Sequence, residues 1–546
     1  MQDQRMLLSG NEAVAWAALD AKVLLGTGYP GTPSTEILEN FSEIGGRAQW
    51  APNEKVALEV GIGSSFAAAR TLVTMKHVGV NVAADPLFTA AYTDLTGGLV
   101  LVSADDPGMA SSQNEQDNRN FARAAGVPML EPSDSQEAYE YAILGLEISE
   151  AMNCPVILRL TTRICHSRTV VVRREVPAPR NAPHYERDLP ARVMIPGYAR
   201  PAHRRMRAKL DRLQQWNEGQ LVFENPNTGT TLSSDDAIAV REGNADLGII
   251  TSGVAFQHAC EAAPYASVLK LGMSWPLPIE RIRDFTDVMD RVVVIEEGDP
   301  FLYTELRAAG VNVEGKPEMY RFGELNVQRV RRILEGDTTP EPPAAKGKPP
   351  QLCKGCPHRT VFETLRDLGC IVTGDIGCYT LGVLPPFEAM DTCVCMGASV
   401  GVGLGMRHVL PEEKARKVVS VIGDSTFVHS GITGLVEMAY NRPATGHLVM
   451  ILDNGTTAMT GMQEHPGTGR ALDHSQAGQL DFEQLCRAIG VQNVHTVDMA
   501  RQADSLPDLV KGALESDELT VIITRRPCLL AAAKIREYEA VNKANA

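Results

Sequence analysis

Long apolar runs are missing from this sequence: none approaches the roughly 20 residues that a membrane-spanning helix needs. The N-terminus also lacks a basic stretch followed by an apolar one, so no secretory leader is expected and the reading is of a cytoplasmic protein. Basic charge is in short supply too, with 52 Lys and Arg against 67 Asp and Glu, a formal net charge of −15. That balance argues against nucleic acid or an anionic membrane as partner. Composition is otherwise that of an ordinary globular protein, 44% hydrophobic and 22% charged. At 546 residues the chain exceeds what one core carries, and three domains is the expectation from length.

Cysteine is the exception to the scarcity. There are eleven, and in a reducing compartment they are not expected to form disulfides. Cys353-Lys354-Gly355-Cys356 is a C-x-x-C, a spacing shared by zinc, redox and iron–sulfur sites. No second C-x-x-C follows, which argues against a zinc ribbon, while Pro357 leaves a redox motif open. Cys378 lies on a glycine-rich turn, Gly374-Asp375-Ile376-Gly377-Cys378-Tyr379, and Cys528 follows the strand-like run Val521–Thr524. The other seven (Cys154, Cys165, Cys260, Cys370, Cys393, Cys395 and Cys486) read by default as small buried hydrophobes. Cys393 and Cys395 have strand spacing, which points their sulfurs to opposite faces and makes them poor joint ligands.

The most organised stretch begins at Val418-Val419-Ser420-Val421-Ile422, a β-branched run that reads as a buried parallel strand. Gly423-Asp424-Ser425 follows, then an amphipathic helix to about Tyr440, then a second strand, His447 to Leu452, that delivers Asp453-Asn454-Gly455-Thr456. Asp424 and Asn454 therefore stand 30 positions apart at the C-terminal ends of successive strands, where open α/β sheets bind ligands. A carboxylate, a carboxamide oxygen and a nearby carbonyl are hard oxygen ligands suited to Mg²⁺ on a diphosphate. Gly423 lets that diphosphate approach the backbone, and the helix start after it favours negative charge.

From the N-terminus, residues 1–175 read as a first α/β domain. Its strands fall near Leu72–Met75, Leu99–Ser103 and Val156–Leu160, and a small-residue helix covers Ala57–Ala69. Thr32 is placed to cap a helix whose first residue is Pro33. Glu54 opens the small-residue helix, where a carboxylate suits the helix dipole. Residues 176–240 read as a connecting segment with a basic patch, His203 to Lys209, and a turn at Asn225–Gly229. A smaller accessory α/β domain is expected over 241–335, with strands Leu247–Thr251, Val268–Leu271 and Val292–Ile295. Residues 336–350 are a linker rich in Pro, Gly and Lys, and 351–546 form a second large α/β domain. The fold class is α/β, multi-domain, with doubly wound parallel sheets.

Gly423-Asp424-Ser425 with Asn454 resembles the diphosphate-anchoring motif of thiamine diphosphate enzymes, with Ser425 in place of the last glycine. Tyr29–Ser34, Asn53–Val60, Thr74–Asn81, Asp105–Gly108 and Ser111–Arg119 follow in an order similar to the large subunit of indolepyruvate:ferredoxin oxidoreductases, a branch of the 2-oxoacid:ferredoxin oxidoreductases. The coda Thr456–Gln463 and His465–Gly469 is similar as well, although Met462 and Glu464 stand where the family has His and Pro. The resemblance implies that 1–175 binds the pyrimidine and 351–546 the diphosphate of thiamine diphosphate. It implies that Asp424, Asn454 and the Thr456 carbonyl hold Mg²⁺, with Gly377, Cys378, Tyr379, Gly423 and Ser425 beside the cofactor. Glu54, in preference to Glu59, is implied as the carboxyl that drives the aminopyrimidine to its imino form. Thr32 is implied near the substrate, and Lys76 and His77 near the cofactor's reactive end, where a solvated pair at a strand end is the plainer reading. Cys353, Cys356, Cys378 and Cys528 fall in turn on the ligands of a [4Fe–4S] cluster.

The implied reaction is oxidative decarboxylation of an aryl 2-oxo acid such as indolepyruvate, with coenzyme A taking the acyl group. A small second subunit of β or γ type is implied, with ferredoxin or another acceptor taking the electrons. Family members commonly carry a ferredoxin-like domain with two C-x-x-C-x-x-C runs, and no cysteine follows Cys528 here. Electrons are therefore expected to pass to another polypeptide. The alternative is a non-oxidative thiamine diphosphate decarboxylase or carboligase, against which the cluster cysteines count. A binding subunit with a vestigial site is opposed by Glu54, Asp424 and Asn454 together.

Overall fold

The computed structural model describes residues 4–342, 347 and 349–545, so residues 343–346 and 348 of the expected linker lie outside it. The chain forms two compact units, 1–342 and 343–546.

The first unit is built on a seven-stranded sheet. In spatial order its strands are Met273–Trp275, Met129–Leu130, Val156–Thr161, Leu99–Asp105, Thr71–Lys76, Leu25–Gly28 and Ala48–Trp50. The central strands are buried along their whole length, which is why they read as continuous apolar runs rather than alternating ones. All pairings are parallel except at the edge, where Met273–Trp275 runs antiparallel to Met129–Leu130. A smaller sheet in the same unit has the strands Asn244–Thr251, Ala266–Leu271 and Val292–Ile295, with Ile238–Arg241, which starts ahead of the expected boundary at 241, added antiparallel at its edge. Because the segment carrying these strands also lends Met273–Trp275 to the large sheet, it packs into one unit with the first domain. Among the described residues no helix is long and apolar enough to cross a membrane.

Two local expectations need correction. The helix after Tyr29–Ser34 begins at Thr35, with Ser34 in the capping position, not at Pro33 with Thr32 as cap. Residues 31–34 are consumed by a tight turn, in which the Ser34 N–H and Oγ both donate to the Gly31 carbonyl, at 2.8 and 2.9 Å. Thr32 is thus half-buried within a turn that cannot belong to the helix. Cys393 and Cys395 are exposed rather than buried, because the strand they were assigned to is only Thr392–Cys393, at the edge of its sheet.

The second unit carries a six-stranded, wholly parallel sheet in the order Thr392–Cys393, Ile371–Gly374, Val418–Gly423, His447–Asp453, Leu519–Arg525 and Asn493–Asp498. The chain runs outward from Ile371–Gly374 to one edge and returns on its other side at Val418–Gly423. The strand order therefore reverses between these two strands, and such a switch point opens a crevice at their C-terminal ends. The helical stretch after Gly423 is interrupted: a π-helical turn, Phe427–Gly431, separates Asp424–Thr426 from the α-helix Ile432–Tyr440.

Candidate active site

Asp424 is the first residue beyond the strand Val418–Gly423, and it is buried. Its Oδ1 accepts from the Ser425 N–H (2.9 Å), and its Oδ2 from the N–H groups of Asn454 (3.1 Å) and Gly455 (2.8 Å). One carboxylate thus ties together the ends of two neighbouring strands. Burial works to raise its pKa, but His465, with Nε2 3.3 Å from Oδ2, and the backbone donors outweigh it and hold the carboxyl below its ordinary range. His465 Nδ1 accepts from the Gly467 N–H (3.1 Å), which leaves the proton on the nitrogen that faces Asp424. Asn454 Oδ1 accepts from the Thr456 N–H (3.1 Å), so Asp424, Asn454 and Thr456 form one connected turn.

Across the switch point, Asp375 organises the other lip. It accepts from the N–H groups of Ile376 (2.9 Å) and Gly397 (2.8 Å) on Oδ1 and of Ser399 (3.0 Å) on Oδ2, and burial pushes its pKa up to about 6. Tyr379 donates from its hydroxyl to the Ile376 carbonyl (2.9 Å) and lays its ring over both glycines of the cradle. A Cβ on Gly423 would stand 2.6 Å from Tyr379 Cε1, and one on Gly377 2.5 Å from the same atom. Both positions therefore require glycine for close approach. Thr426 Oγ1 donates to the same Ile376 carbonyl (3.0 Å), fixing Gly377 beside Asp424 and Ser425.

Cys353, Cys356, Cys378 and Cys528 line a single cavity of about 80 Å³, walled by Leu352, Leu381 and Leu529. They come from a turn before the helix Pro357–Asp367, from the turn after Ile371–Gly374, and from the loop after Leu519–Arg525. Burial first, then the fields of Cys528, Cys356 and Cys353, push the Cys378 thiol up to about 11. His358 and Asn454 line the same cavity; their Nε2 and Nδ2 are 3.4 Å apart, and burial drives the His358 pKa down to about 4. Among the described residues no three His, Cys, Asp or Glu side chains converge as they would around a single metal ion.

In the first unit, Glu54 opens the helix Glu54–Phe66, which Asn53 caps by accepting from the Val56 N–H (2.9 Å). Its carboxyl is buried and packs against Gly79, where a Cβ would stand 2.7 Å from Oε1. Glu59 is a surface residue paired with Lys55, which leaves Glu54 as the enclosed carboxyl of that helix. Lys76 and His77, at the C-terminal end of Thr71–Lys76, are buried, not solvated. Lys76 Nζ donates to the Ser111 carbonyl (2.8 Å), and His77 Nε2 to that of Asn114 (3.1 Å). Because a carbonyl only accepts, the His77 proton sits on Nε2, and Nδ1 is buried with no hydrogen-bond partner among the described residues. Burial lowers the pKa of both side chains. Gly31, beside Thr32, rests on Lys76, with room for no Cβ before Lys76 Cβ at 2.9 Å.

Sequence reasoning did not single out Asp375, His358 or His465. Asp375 was available as the acid of Gly374-Asp375-Ile376-Gly377, but the two histidines come from remote segments and carry no spacing signal. Glu464, where the family pattern differs, binds Arg470 Nε (2.9 Å) and His474 Nδ1 (3.0 Å), and His474 stacks on Tyr538 of the final helix.

Two thiamine diphosphate-binding families match the chain. The C-terminal TPP-binding domain of thiamine pyrophosphate enzymes covers residues 375–524, and the thiamine diphosphate-binding domain of pyruvate flavodoxin/ferredoxin oxidoreductases covers 16–216. With the two parallel sheets and the Asp424 turn, they define a thiamine diphosphate-dependent 2-oxoacid oxidoreductase. Indolepyruvate oxidoreductase subunit IorA of Archaeoglobus fulgidus is 39% identical over 98% of this chain and 89% of its own length. That of Methanothermobacter marburgensis is 38% identical over 97% and 88%. The chain belongs to the indolepyruvate oxidoreductase subunit IorA family, the thiamine diphosphate-dependent α subunits of the 2-oxoacid:ferredoxin oxidoreductases. Among solved structures, a 2-oxoglutarate:ferredoxin oxidoreductase from Magnetococcus marinus, with 2-oxoglutarate, coenzyme A and succinyl-CoA bound, is 16% identical, over 61% of this chain and 65% of that one, with a TM-score of 0.49.

Proposed function

We propose that the chain oxidises an aryl 2-oxo acid such as indolepyruvate to its acyl-coenzyme A, releasing electrons through a [4Fe–4S] cluster to ferredoxin or a partner subunit. The observation that carries the redox reading is the set of four cysteines facing one leucine-walled cavity. Four cysteines lining one small cavity supply the four thiolates that a polynuclear iron core takes. A four-iron cube takes one thiolate per iron, so its ligands surround a volume and need not converge on a point. Magnesium fits the turn in donor chemistry: Asp424 supplies the charge, and the Asn454 carboxamide and Thr456 carbonyl supply neutral hard oxygens. The names of the relatives, subunits of indolepyruvate oxidoreductases, support indolepyruvate as substrate and a further subunit as partner.

Thiamine diphosphate, when bound, would supply a nucleophilic thiazolium carbon and, in the cationic ring that carries it, the electron sink for decarboxylation. The protein's share is positioning and proton placement. Glu54, enclosed at its helix start, would hold the aminopyrimidine nitrogen by a hydrogen bond. Gly377 and Gly423 make room for the Tyr379 ring, which fixes the backbone turns that would hold the diphosphate. His77 carries its proton on Nε2 and offers the Nδ1 lone pair, while Lys76 supplies a buried cation for the substrate carboxylate.

The test is iron and acid-labile sulfide per chain in anaerobically purified protein, with the visible spectrum. About four of each, bleached by dithionite and lost in Cys353→Ala, is expected. Iron-free protein after anaerobic reconstitution would overturn the cluster assignment. For the carboxyl, Glu54→Gln should lose turnover while retaining thiamine diphosphate, and full activity would remove its role.

A further inference from the structure

Between the strand Leu99–Asp105 and the helix Arg119–Ala125 the chain makes a largely exposed loop, residues 106–118, without regular structure. This loop supplies both carbonyls, Ser111 and Asn114, that hold Lys76 and His77. An exposed loop is a poor holder of two buried side chains unless its ends are fixed, and here they are. At its start, Asp106 accepts from the Ser111 N–H (2.8 Å) and from Thr162 Oγ1 (2.9 Å). At its end, Asn118 Nδ2 donates to the His77 carbonyl (3.1 Å) and to Ser103 Oγ (2.7 Å).

The stronger hold comes from the accessory segment. Arg119 is fully buried, and its Nη1 donates to Glu296 Oε2 (2.6 Å) while Nη2 donates to the carbonyls of Glu297 (2.8 Å) and Asp299 (3.0 Å). Nε turns back to Asp117 of the loop at 2.9 Å. Glu296 is itself held by the N–H groups of Leu302 (2.8 Å) and Tyr303 (3.0 Å) at the start of the helix Phe301–Ala308. A planar fork held through all three of its nitrogens fixes both position and angle, which a flexible ammonium does not. Gly108, at φ +80°, fits tightly on the turn at Gly323, giving the loop a second seat on the same segment.

We propose that Arg119 and Glu296 are positioning residues: they clamp loop 106–118 to the accessory segment and thereby fix the carbonyls that hold Lys76 and His77 at the reaction site. The accessory segment then has a task in turnover without touching cofactor or substrate. This rests on the reading of Lys76 and His77 under Proposed function.

The test uses Arg119→Lys, which keeps the charge and loses the fork, with Glu296→Gln as a second variant in case the first fails to fold. Cleavage after Glu115 by a glutamate-specific protease, in the native full-length chain, reports the loop. In the assembled enzyme kcat should fall about 10-fold or more with KM for the 2-oxo acid changed less than about 2-fold, and bound thiamine diphosphate per chain unchanged. Cleavage after Glu115 should accelerate in parallel. Wild-type cleavage, faster cleavage with wild-type kcat, or a loss confined to KM would each overturn the proposal. Lys76→Met and His77→Asn, assayed beside these, separate the two levels. Wild-type turnover in both would overturn the reading of the site itself, and the clamp's role with it.

Discussion

Gly79 offers a way to move the Glu54 carboxyl without touching Glu54. A methyl at position 79 would lie 2.6 Å from Glu54 Cγ, 2.7 Å from Oε1 and 3.0 Å from Cδ, so the carboxyl must retreat by roughly 1 Å to reach ordinary contact. Gly79 sits in the helix His77–Val82, and its backbone is not in the left-handed region. Alanine should therefore gain about 1 kcal/mol of helix propensity there. Overpacking costs about 1–3 kcal/mol, and the far end of a flexible side chain gives way at the lower end of that range. The two effects nearly cancel, and the melting temperature of Gly79→Ala should move by no more than about a few degrees. Activity should not be spared, because a 1 Å misplacement of a group that must bond the cofactor costs on the order of 100-fold in kcat. Gly63→Ala is the control: it lies in the Glu54 helix, where an added Cβ meets no other element within 4 Å among the described residues, and should gain stability at unchanged activity. Steady-state kcat, thermal unfolding and bound thiamine diphosphate on both variants decide the matter. Wild-type turnover in Gly79→Ala would refute the role given to Glu54, as would a loss that merely tracks unfolding.

Asp424→Asn sets an amide among three backbone donors, so it should lower the stability of the cofactor-free protein by about 1–3 kcal/mol and abolish the thermal shift produced by thiamine diphosphate with Mg²⁺. An undiminished shift would refute the anchoring role. Gly423→Ala should displace Tyr379 and weaken cofactor binding, measured as an increased dissociation constant, with little change in the thiol chemistry of Cys378. His447 is wholly buried against Ser420 Oγ (2.8 Å), and burial holds its pKa well below the usual imidazole value. The unfolded chain therefore binds this proton first as pH falls. Stability should drop by about 1.4 kcal/mol per pH unit below about pH 6.5, and urea midpoints of His447→Asn should lack that component.

Strands were the legible part of the chain. Val292–Ile295 and, within the strand His447–Asp453, residues 448–452 are uniform apolar runs, and a strand buried on both faces has no other way to look. Asp424 and Asn454 were legible for a related reason, since one crossover helix fixes the distance between two strand ends. The start of the Thr35 helix was misread because Thr32-Pro33 imitates a cap, while the carbonyl of Gly31 had already claimed the turn. Met273–Trp275 left no trace, because three residues at a sheet edge are too few to show a period. Nor did the sequence show that Lys76 and His77 are enclosed: their partners are backbone carbonyls 35 and 37 positions away, and carbonyls have no letter.

The antiparallel strand Met273–Trp275 has a consequence for any attempt to pare this protein down. Excising 241–335 looks attractive, since its own four-stranded sheet has the outline of a detachable module. The cut would strip the cover from Met129–Leu130 and leave the outer backbone groups of these two buried apolar residues without their strand partner. Such an edge recruits strands from other molecules, so the trimmed protein should precipitate rather than yield a minimal enzyme. Lineages that shed the module would need a replacement for those three residues first.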